Sequence, residues 1–174
     1  LVDIHGNTII PLTANQAILP PSDNMLRLAK VEKKQIAKAY YDLDAEVMVR
    51  ISSSEKGKFG AFSHNLAPVS LDDELFFIDK KGNKVIGGLS KAFLSNEGYR
   101  VVQKGSAFGA IDSTGAVVIP IEYTNSLTSV NNGRLGVQKN ASWFYVDMKG
   151  QIVSDKYDRI GNFHQGYASV CLNK

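Results

Sequence analysis

The sequence predicts an all-β fold of about five repeats of roughly 35 residues, each made of three to four short antiparallel strands. Two observations predict it. An Asp-x-x-Gly motif returns at a nearly constant spacing, and short runs of β-branched and aromatic residues bounded by glycine are typical of strands. A length of 174 residues suits a single domain, so the repeats form one array over residues 1–174.

The repeated motif is an aspartate with an apolar residue before it and a glycine three positions after it. Its copies are Asp3 with Gly6, Asp79 with Gly82, Asp112 with Gly115 and Asp147 with Gly150, and a weaker copy places Ala45 after Asp42. These aspartates are 39, 37, 33 and 35 residues apart, a mean of 36. The spacing divides the chain into units of approximately 1–23, 24–61, 62–92, 93–126 and 127–162, with a partial unit at 163–174.

Each unit is predicted to hold three strands, of the kind at 99–103, 108–112 and 117–120, and a fourth short strand fits in the connection to the next unit. The motif lies between the second and third strands. An aspartate at the first turn position accepts a hydrogen bond from the backbone two residues on, and glycine supplies positive φ. The repeated aspartates and glycines are therefore interpreted as structural turn residues.

Residues 25–41 allow two readings. Their lysine, leucine and alanine content favours an amphipathic helix. Their apolar positions, however, alternate at least as well as they follow a helical period. We predict two strands joined by a charged turn at 32–35.

One stretch carries a family resemblance. At 107–112 stands Ala-Phe-Gly-Ala-Ile-Asp, followed by Gly-Ala-Val-Val-Ile-Pro at 115–120 and by Tyr123. Trp143 and the pair Tyr157-Asp158 take matching places in the next copy. These residues resemble the WG-repeat proteins, a family of β-repeats abundant in bacteria.

The copies depart from the family pattern. The tryptophan position holds Lys38, Leu75, Phe108 and Trp143, and the glycine position beside it holds Ala39, Phe76, Gly109 and Phe144. The resemblance implies a scaffold that binds other molecules, without shared catalytic residues. It also implies a bacterial cell-envelope or secreted location.

The two ends of the sequence bear on the shape of the array. The chain starts near the end of a second strand and stops just past a first strand, so the two ends together make almost one unit. A β-propeller commonly completes its last blade from both termini, which protects sheet edges. A five-bladed, propeller-like ring is favoured on this ground, and an open β-solenoid array is the alternative.

Composition and motifs exclude several function classes. The net charge is only +3 with scattered lysines, which predicts no nucleic-acid partner, and no apolar run is long enough to insert in a membrane. Cys171 is the single cysteine, and His5, His64 and His164 lack the spacing of metal ligands. We expect no catalytic residues, no metal and no cofactor.

The aromatic residues form the candidate binding surface: Phe108, Tyr123, Trp143, Tyr145 and Tyr157. Alternation along a strand predicts that Trp143 and Tyr145 share one face while Phe144 takes the other. The favoured function is a non-enzymatic scaffold that binds a protein through inter-repeat loops and exposed aromatics. The alternative is a carbohydrate-binding module with shallow aromatic pockets, with Trp143 or Phe108 in the pocket.

Overall fold

The structure is a computed structural model that describes residues 1–11, 16–32, 35–52 and 57–172. These residues form strands, turns and loops without a helix, as the sequence predicts. They accordingly contain no helix that could cross a membrane.

The strands are arranged in five small antiparallel sheets that follow one another along the chain. The first sheet contains β1 (Gln16–Ser22), β2 (Met25–Glu32), β3 (Gln35–Asp42) and β4 (Val47–Ser52). The second contains β5 (Lys58–Phe59), β6 (Ala67–Leu71), β7 (Glu74–Ile78) and β8 (Lys84–Leu89). The third contains β9 (Lys91–Ala92), β10 (Arg100–Lys104), β11 (Ala107–Ile111) and β12 (Val117–Tyr123).

The last two sheets are smaller. The fourth contains β13 (Asn125–Ser126), β14 (Arg134–Lys139) and β15 (Ser142–Asp147), and the fifth contains β16 (Arg159–Ile160) and β17 (Val170–Cys171). Two isolated bridges, Val146 with Ile152 and Trp143 with Tyr157, add an irregular fourth strand to the fourth sheet. The same meander therefore recurs from sheet to sheet.

Two strand predictions are confirmed. A two-residue strand opens the second, third, fourth and fifth sheets, which is the short extra strand expected between units. Residues 25–41 form β2 and β3, which pair in register from Met25 with Asp42 to Glu32 with Gln35. These residues therefore form strands despite their helix propensity, because each strand has neighbours to pair with on both sides.

Each sheet also has a hairpin turn with positive φ at both central residues, the type I′ geometry that matches strand twist. We call these five turns the turn row: Asp23-Asn24, His64-Asn65, Glu97-Gly98, Asn132-Gly133 and Gln165-Gly166. The second position is always asparagine or glycine, the residues that adopt positive φ at least cost. This explains the asparagines and glycines that open the first long strand of each repeat.

The core consists of interfaces between successive sheets. Val49 and Ile51 of the first sheet pack on the cluster around Phe62 and Val69 of the second. Phe77 and Leu89 pack with Val102 and Ile111 of the third sheet. A third cluster joins the third sheet to the fourth: Val101, Ala110, Ile119, Tyr123, Val130, Leu135, Val137, Phe144 and Val146. Each internal sheet is thus buried between the sheets before and after it.

The first residues cover the outer face of the first sheet. Residues 1–11 form a hairpin, bridged at Val2 and Thr8, and Ile10 packs with Leu26 and Leu28. The accessible surface of the chain is 10397 Å². A compact monomer of this mass would expose about 8,400 Å², so the chain exposes more surface than a compact globule.

Candidate interaction surface

The repeated aspartates accept hydrogen bonds inside their own turns. Asp112 Oδ1 accepts from the backbone N–H of Thr114 at 2.8 Å and of Ala116 at 3.1 Å, and from Thr114 Oγ1 at 2.7 Å. Asp3, Asp79 and Asp147 accept backbone bonds from the residues two and four positions on. The carboxylate of each aspartate therefore replaces backbone partners that a hairpin loop of this length lacks.

The same bonds set the ionisation of these carboxyls. Hydrogen bonds from the side chain and backbone of Asn7 hold the pKa of Asp3 below its usual value. Partial burial raises the pKa of Asp79 and of Asp112, but the bonds from their turns outweigh it, so both values are lowered. The backbone bond from Gln151 is the main cause of a lowered pKa at Asp147. All four are acceptors in their ionised form, which is the opposite of a carboxyl prepared to donate a proton.

The glycines of these turns contact the preceding sheet. A Cβ on Gly115 would lie 2.6 Å from Val85 Cγ2, and one on Gly82 would lie 2.7 Å from Val49 Cγ1. Gly6 has the same positive φ, +85° against +88° at Gly115, but a Cβ there would meet no atom within 4 Å. The glycine therefore serves both the turn and the contact between neighbouring sheets.

The predicted aromatic surface is smaller than expected. Tyr123 and Tyr145 are only 5% and 4% exposed, so neither ring is available to a partner. Trp143, Phe108 and Tyr157 are half-buried. Tyr145 is buried although Trp143 shares its face, because Tyr145 lies under the fifth sheet.

Tyr145 and Tyr40 make one type of contact with the next sheet. Tyr145 Oη donates to the carbonyl of Gly161 at 2.6 Å, and its ring lies 4.7 Å from that of Phe163. Tyr40 repeats the arrangement with Gly60 and Phe62, at 2.7 Å and 4.8 Å. Two of the interfaces are thus closed by a tyrosine that meets a Gly-x-Phe segment.

The other two interfaces are different. Backbone bonds to Pro68, Val101, Gly136 and Ser169 show that Gly60, Phe93, Leu127 and Gly161 occupy equivalent positions. Phe93 and Leu127 therefore place a side chain at the position where the interfaces closed by a tyrosine have a glycine. The large apolar residues of the connections, which look alike in the sequence, occupy two different places.

The residue that follows each of these four equivalent positions shows where a groove lies. These residues are Ala61, Leu94, Thr128 and Asn162, all exposed, and Leu94 is the single large apolar residue among them, with 87% of its surface exposed. Leu94 borders a groove of about 500 Å³ between the third and fourth sheets. The groove is lined by Phe93, Leu94, Ser95, Asn96, Thr128 and Ser129.

Hydrogen bonds along the turn row hold this groove in shape. Glu97 accepts from the backbone N–H groups of Asn132 and Gly133, both at 2.8 Å. Asn96 Nδ2 donates to the carbonyl of Val130 at 2.6 Å. Ser95 Oγ bonds to His64 Nδ1 at 2.9 Å on the other side. The walls of the groove therefore belong to two sheets that are tied together next to it.

Sequence reasoning missed Leu94 and Glu97. Leu94 has a detectable signal, since it is the only large apolar residue at its repeat position, but the position can be aligned only when the backbone pairing is known. Glu97 has no such signal, because its bonds go to turn residues 35 and 36 positions away.

Among the described residues, no group of three or more histidine, cysteine, aspartate or glutamate side chains could hold a metal ion.

Comparison with known proteins supports the repeat assignment. The family described as "WG containing repeat" matches residues 108–143 and 143–174, which confirms the resemblance seen in the sequence. The match begins at Phe108, while the same four-stranded meander also forms the first and second sheets. No curated protein sequence matches the chain.

Fourteen chains of solved structures match this one. One is titled "Crystal structure of the eukaryotic initiation factor", with 12% sequence identity and a TM-score of 0.35. The alignment covers 83% of this chain and 55% of that chain, so this chain spans about half the length of the matched one.

Proposed function

We propose that this chain, whose residues 108–174 match the family described as "WG containing repeat", is a non-enzymatic scaffold that binds a partner protein at the Leu94 groove. The observation that carries the proposal is the exposed Leu94 side chain at a repeat position where the other units have alanine, threonine or asparagine. An apolar residue that the repeat does not require is a candidate anchor for a partner.

The surroundings of Leu94 fit an extended segment of a protein. The half-buried Phe93 ring gives the groove an apolar floor, and the exposed Thr128 also lines it. A main-chain N–H group of a bound segment would donate to the Thr128 hydroxyl, while an apolar side chain packs on Leu94. The bonds between Glu97 and the next turn keep the two walls in place before binding, which lowers the entropy cost.

A photo-crosslinking amino acid at position 94 tests this proposal. The matched control carries the same amino acid at Ala61, the equivalent exposed position of the preceding unit. We expect a single protein to be captured from position 94 and not from 61, and Leu94→Ser to weaken its purified complex about tenfold or more. Equal capture at both positions, or an unchanged affinity of the Leu94→Ser variant, would contradict the proposal.

Carbohydrate binding is the second candidate, because Trp143 and Tyr157 pair across neighbouring strands. Paired residues place their side chains on the same face, and both rings are half-buried with part of their surface open to a sugar. Trp143 is the sole tryptophan of the chain, so its fluorescence reports directly on this position. A saturable change with a glycan, lost in Tyr157→Ala, would favour the sugar.

For the shape of the array we favour the open alternative over the closed ring. The accessible surface exceeds that of a compact globule, and the first turn glycine, Gly6, faces open space where Gly82 and Gly115 contact a neighbouring sheet. An open array also leaves the grooves between successive turns accessible along one edge.

A further inference from the structure

Arg27 differs from the residues at the same repeat position. Cross-strand pairing aligns it with Pro68, Val101 and Gly136, since these four pair with Tyr40, Phe77, Ala110 and Tyr145. The position lies under the next sheet, and in the other units it is uncharged. A guanidinium at the interface of two sheets therefore calls for an explanation beyond the repeat.

The guanidinium is only partly satisfied by the protein. Its Nη1 donates to the carbonyl of Phe59 in the second sheet at 3.2 Å, while its Nε is buried without a hydrogen-bond partner. A buried donor without an acceptor is rare in folded proteins and costs free energy. The Tyr40 hydroxyl donates to the carbonyl of Gly60 and accepts no bond from this Nε.

Arg27 borders a cavity of about 330 Å³ between the first and second sheets. Its walls are mainly apolar and consist of Leu19, Leu28, Ala29, Ala39, Gly57 and Phe59, which we call the apolar wall. The two charged lining residues are Arg27 and Lys58, and the described lining residues include no carboxylate. This volume is within the range of small-molecule sites, which combine apolar walls with a few polar groups.

The corresponding space is filled at the interface of the fourth and fifth sheets. Gly136 takes the place of Arg27 there, and a Cβ on it would lie 2.4 Å from Ile160 Cδ1 and 2.6 Å from Leu127 Cδ1. The arginine and the cavity thus occur together at one interface.

We propose that this cavity binds a small organic carboxylate, with its carboxylate at Arg27 and Lys58 and its hydrocarbon tail against the apolar wall. The site is separate from the Leu94 groove and does not depend on a protein partner. Arginine suits the role because its planar guanidinium offers paired N–H donors to a carboxylate. The apolar wall requires a ligand with a hydrocarbon body, which distinguishes it from inorganic anions.

Titration of the full chain with sodium hexanoate, followed by ¹H–¹⁵N NMR, tests the site. We expect saturable shifts of the Arg27 side-chain Nε–H signal and of the Ala29 and Ala39 amides. Hexanol, which has the same tail without the charge, should bind about tenfold more weakly. Acetyl-leucine and its amide test whether the bound carboxylate is the C-terminus of a peptide. Tighter binding of acetyl-leucine than of hexanoate would assign the site to the end of a peptide chain.

Two variants and one control separate the site from general charge effects. Arg27→Gln should raise the hexanoate Kd about tenfold. The control Arg50→Gln makes the same charge change at an exposed position of β4 and should leave the Kd unchanged. If Arg27→Gln does not fold, Ala29→Leu, on the same face of β2 as Arg27, fills the cavity while keeping the arginine, and should abolish binding. Absence of shifts in the unmodified chain, equal binding of hexanol, or equal weakening by Arg50→Gln would overturn the proposal.

Discussion

At the scale of single residues, the repeated aspartates act through hydrogen bonds to their own turns. Asp112 accepts three such bonds, two from backbone N–H groups and one from the Thr114 hydroxyl. Asp112→Ala should lower the free energy of unfolding by about 1–2 kcal/mol, because backbone donors lose their partner. Asp112→Asn keeps one acceptor oxygen and should cost less. Urea denaturation measures both, and an alanine variant as stable as the original chain would contradict a structural role.

The lowered pKa values of these carboxyls predict how the stability of the folded chain depends on pH. The pKa values of Asp3, Asp79, Asp112 and Asp147 are lowered in the folded state, so their contribution is complete above the unfolded-state pKa, about 3.9. It is lost as the pH falls through the folded-state values. We expect stability to be level between about pH 8 and 5 and to decline below about pH 4.

Replacement of Asp112 and Asp147 by asparagine should flatten that decline. Denaturation curves collected across this pH range provide the measurement. A loss of stability already between pH 7 and 5 would show that other groups dominate the acid response.

How far the residues of the candidate site can be predicted from the sequence depends on how local each interaction is. An aspartate and a glycine three positions apart define a turn, so their positions could be read directly. The burial of Tyr123 and Tyr145 could not be read, because it depends on side chains of the following sheet. Arg27 and Leu94 stand out only once the strand register aligns the repeats.

At the scale of structural elements, contact between neighbouring sheets explains the turn glycines. Gly6→Ala and Gly115→Ala introduce the same strain, since their φ angles are +85° and +88°. That strain should cost about 1–2 kcal/mol in each variant. Gly115→Ala should cost about 1–3 kcal/mol more, because its methyl group collides with Val85.

The variant Val85→Ala provides a matched test of this collision. Combined with Gly115→Ala it should recover part of the lost stability, and combined with Gly6→Ala it should recover none. Equal costs at Gly6 and Gly115 would mean that the glycines serve the turn alone.

Tyrosine hydroxyls join sheets at two interfaces, and Tyr40 offers the cleaner test because it is fully buried. Burial raises its pKa, so the hydroxyl stays protonated as a donor to Gly60 through neutral and moderately alkaline pH. Tyr40→Phe should lower the free energy of unfolding by about 1 kcal/mol, and more if the carbonyl is left without water. Chemical denaturation checks this value, and a neutral substitution would show that the bond contributes nothing net.

The order of strands within a sheet could be predicted because each repeat contains the apolar runs and the turn motif of its own meander. The choice between helix and strand at β2 and β3 followed from alternation, and the structure confirms it. The interfaces between sheets were not predictable, since Phe62 and Phe93 look equivalent in sequence but occupy different positions relative to the preceding sheet. A side chain that lies two residues further along a strand is on the same face of the sheet. The apolar pattern of the sequence therefore does not reveal such a shift.

At the scale of the whole molecule, the described sheets contact their neighbours in order along the chain. Stability in such an array is a sum of nearest-neighbour terms, so a defect at one interface should loosen that interface first. The internal second and third sheets, covered on both faces, should have the slowest hydrogen exchange. The proposed binding sites lie at two separate interfaces, so disruption of one should leave the other intact.

The distance between the two ends of the array tests the open arrangement most directly. Cys171 is exposed and is the single cysteine, so a second cysteine in the variant His5→Cys gives a pair for spin labels. Stacked sheets lie about 10 Å apart, so an open array of five sheets predicts a distance of about 40 Å between the two spin labels. Pulsed electron paramagnetic resonance measures this distance. A distance below about 25 Å would place the first and last sheets side by side, as in a closed ring, and would contradict the open array.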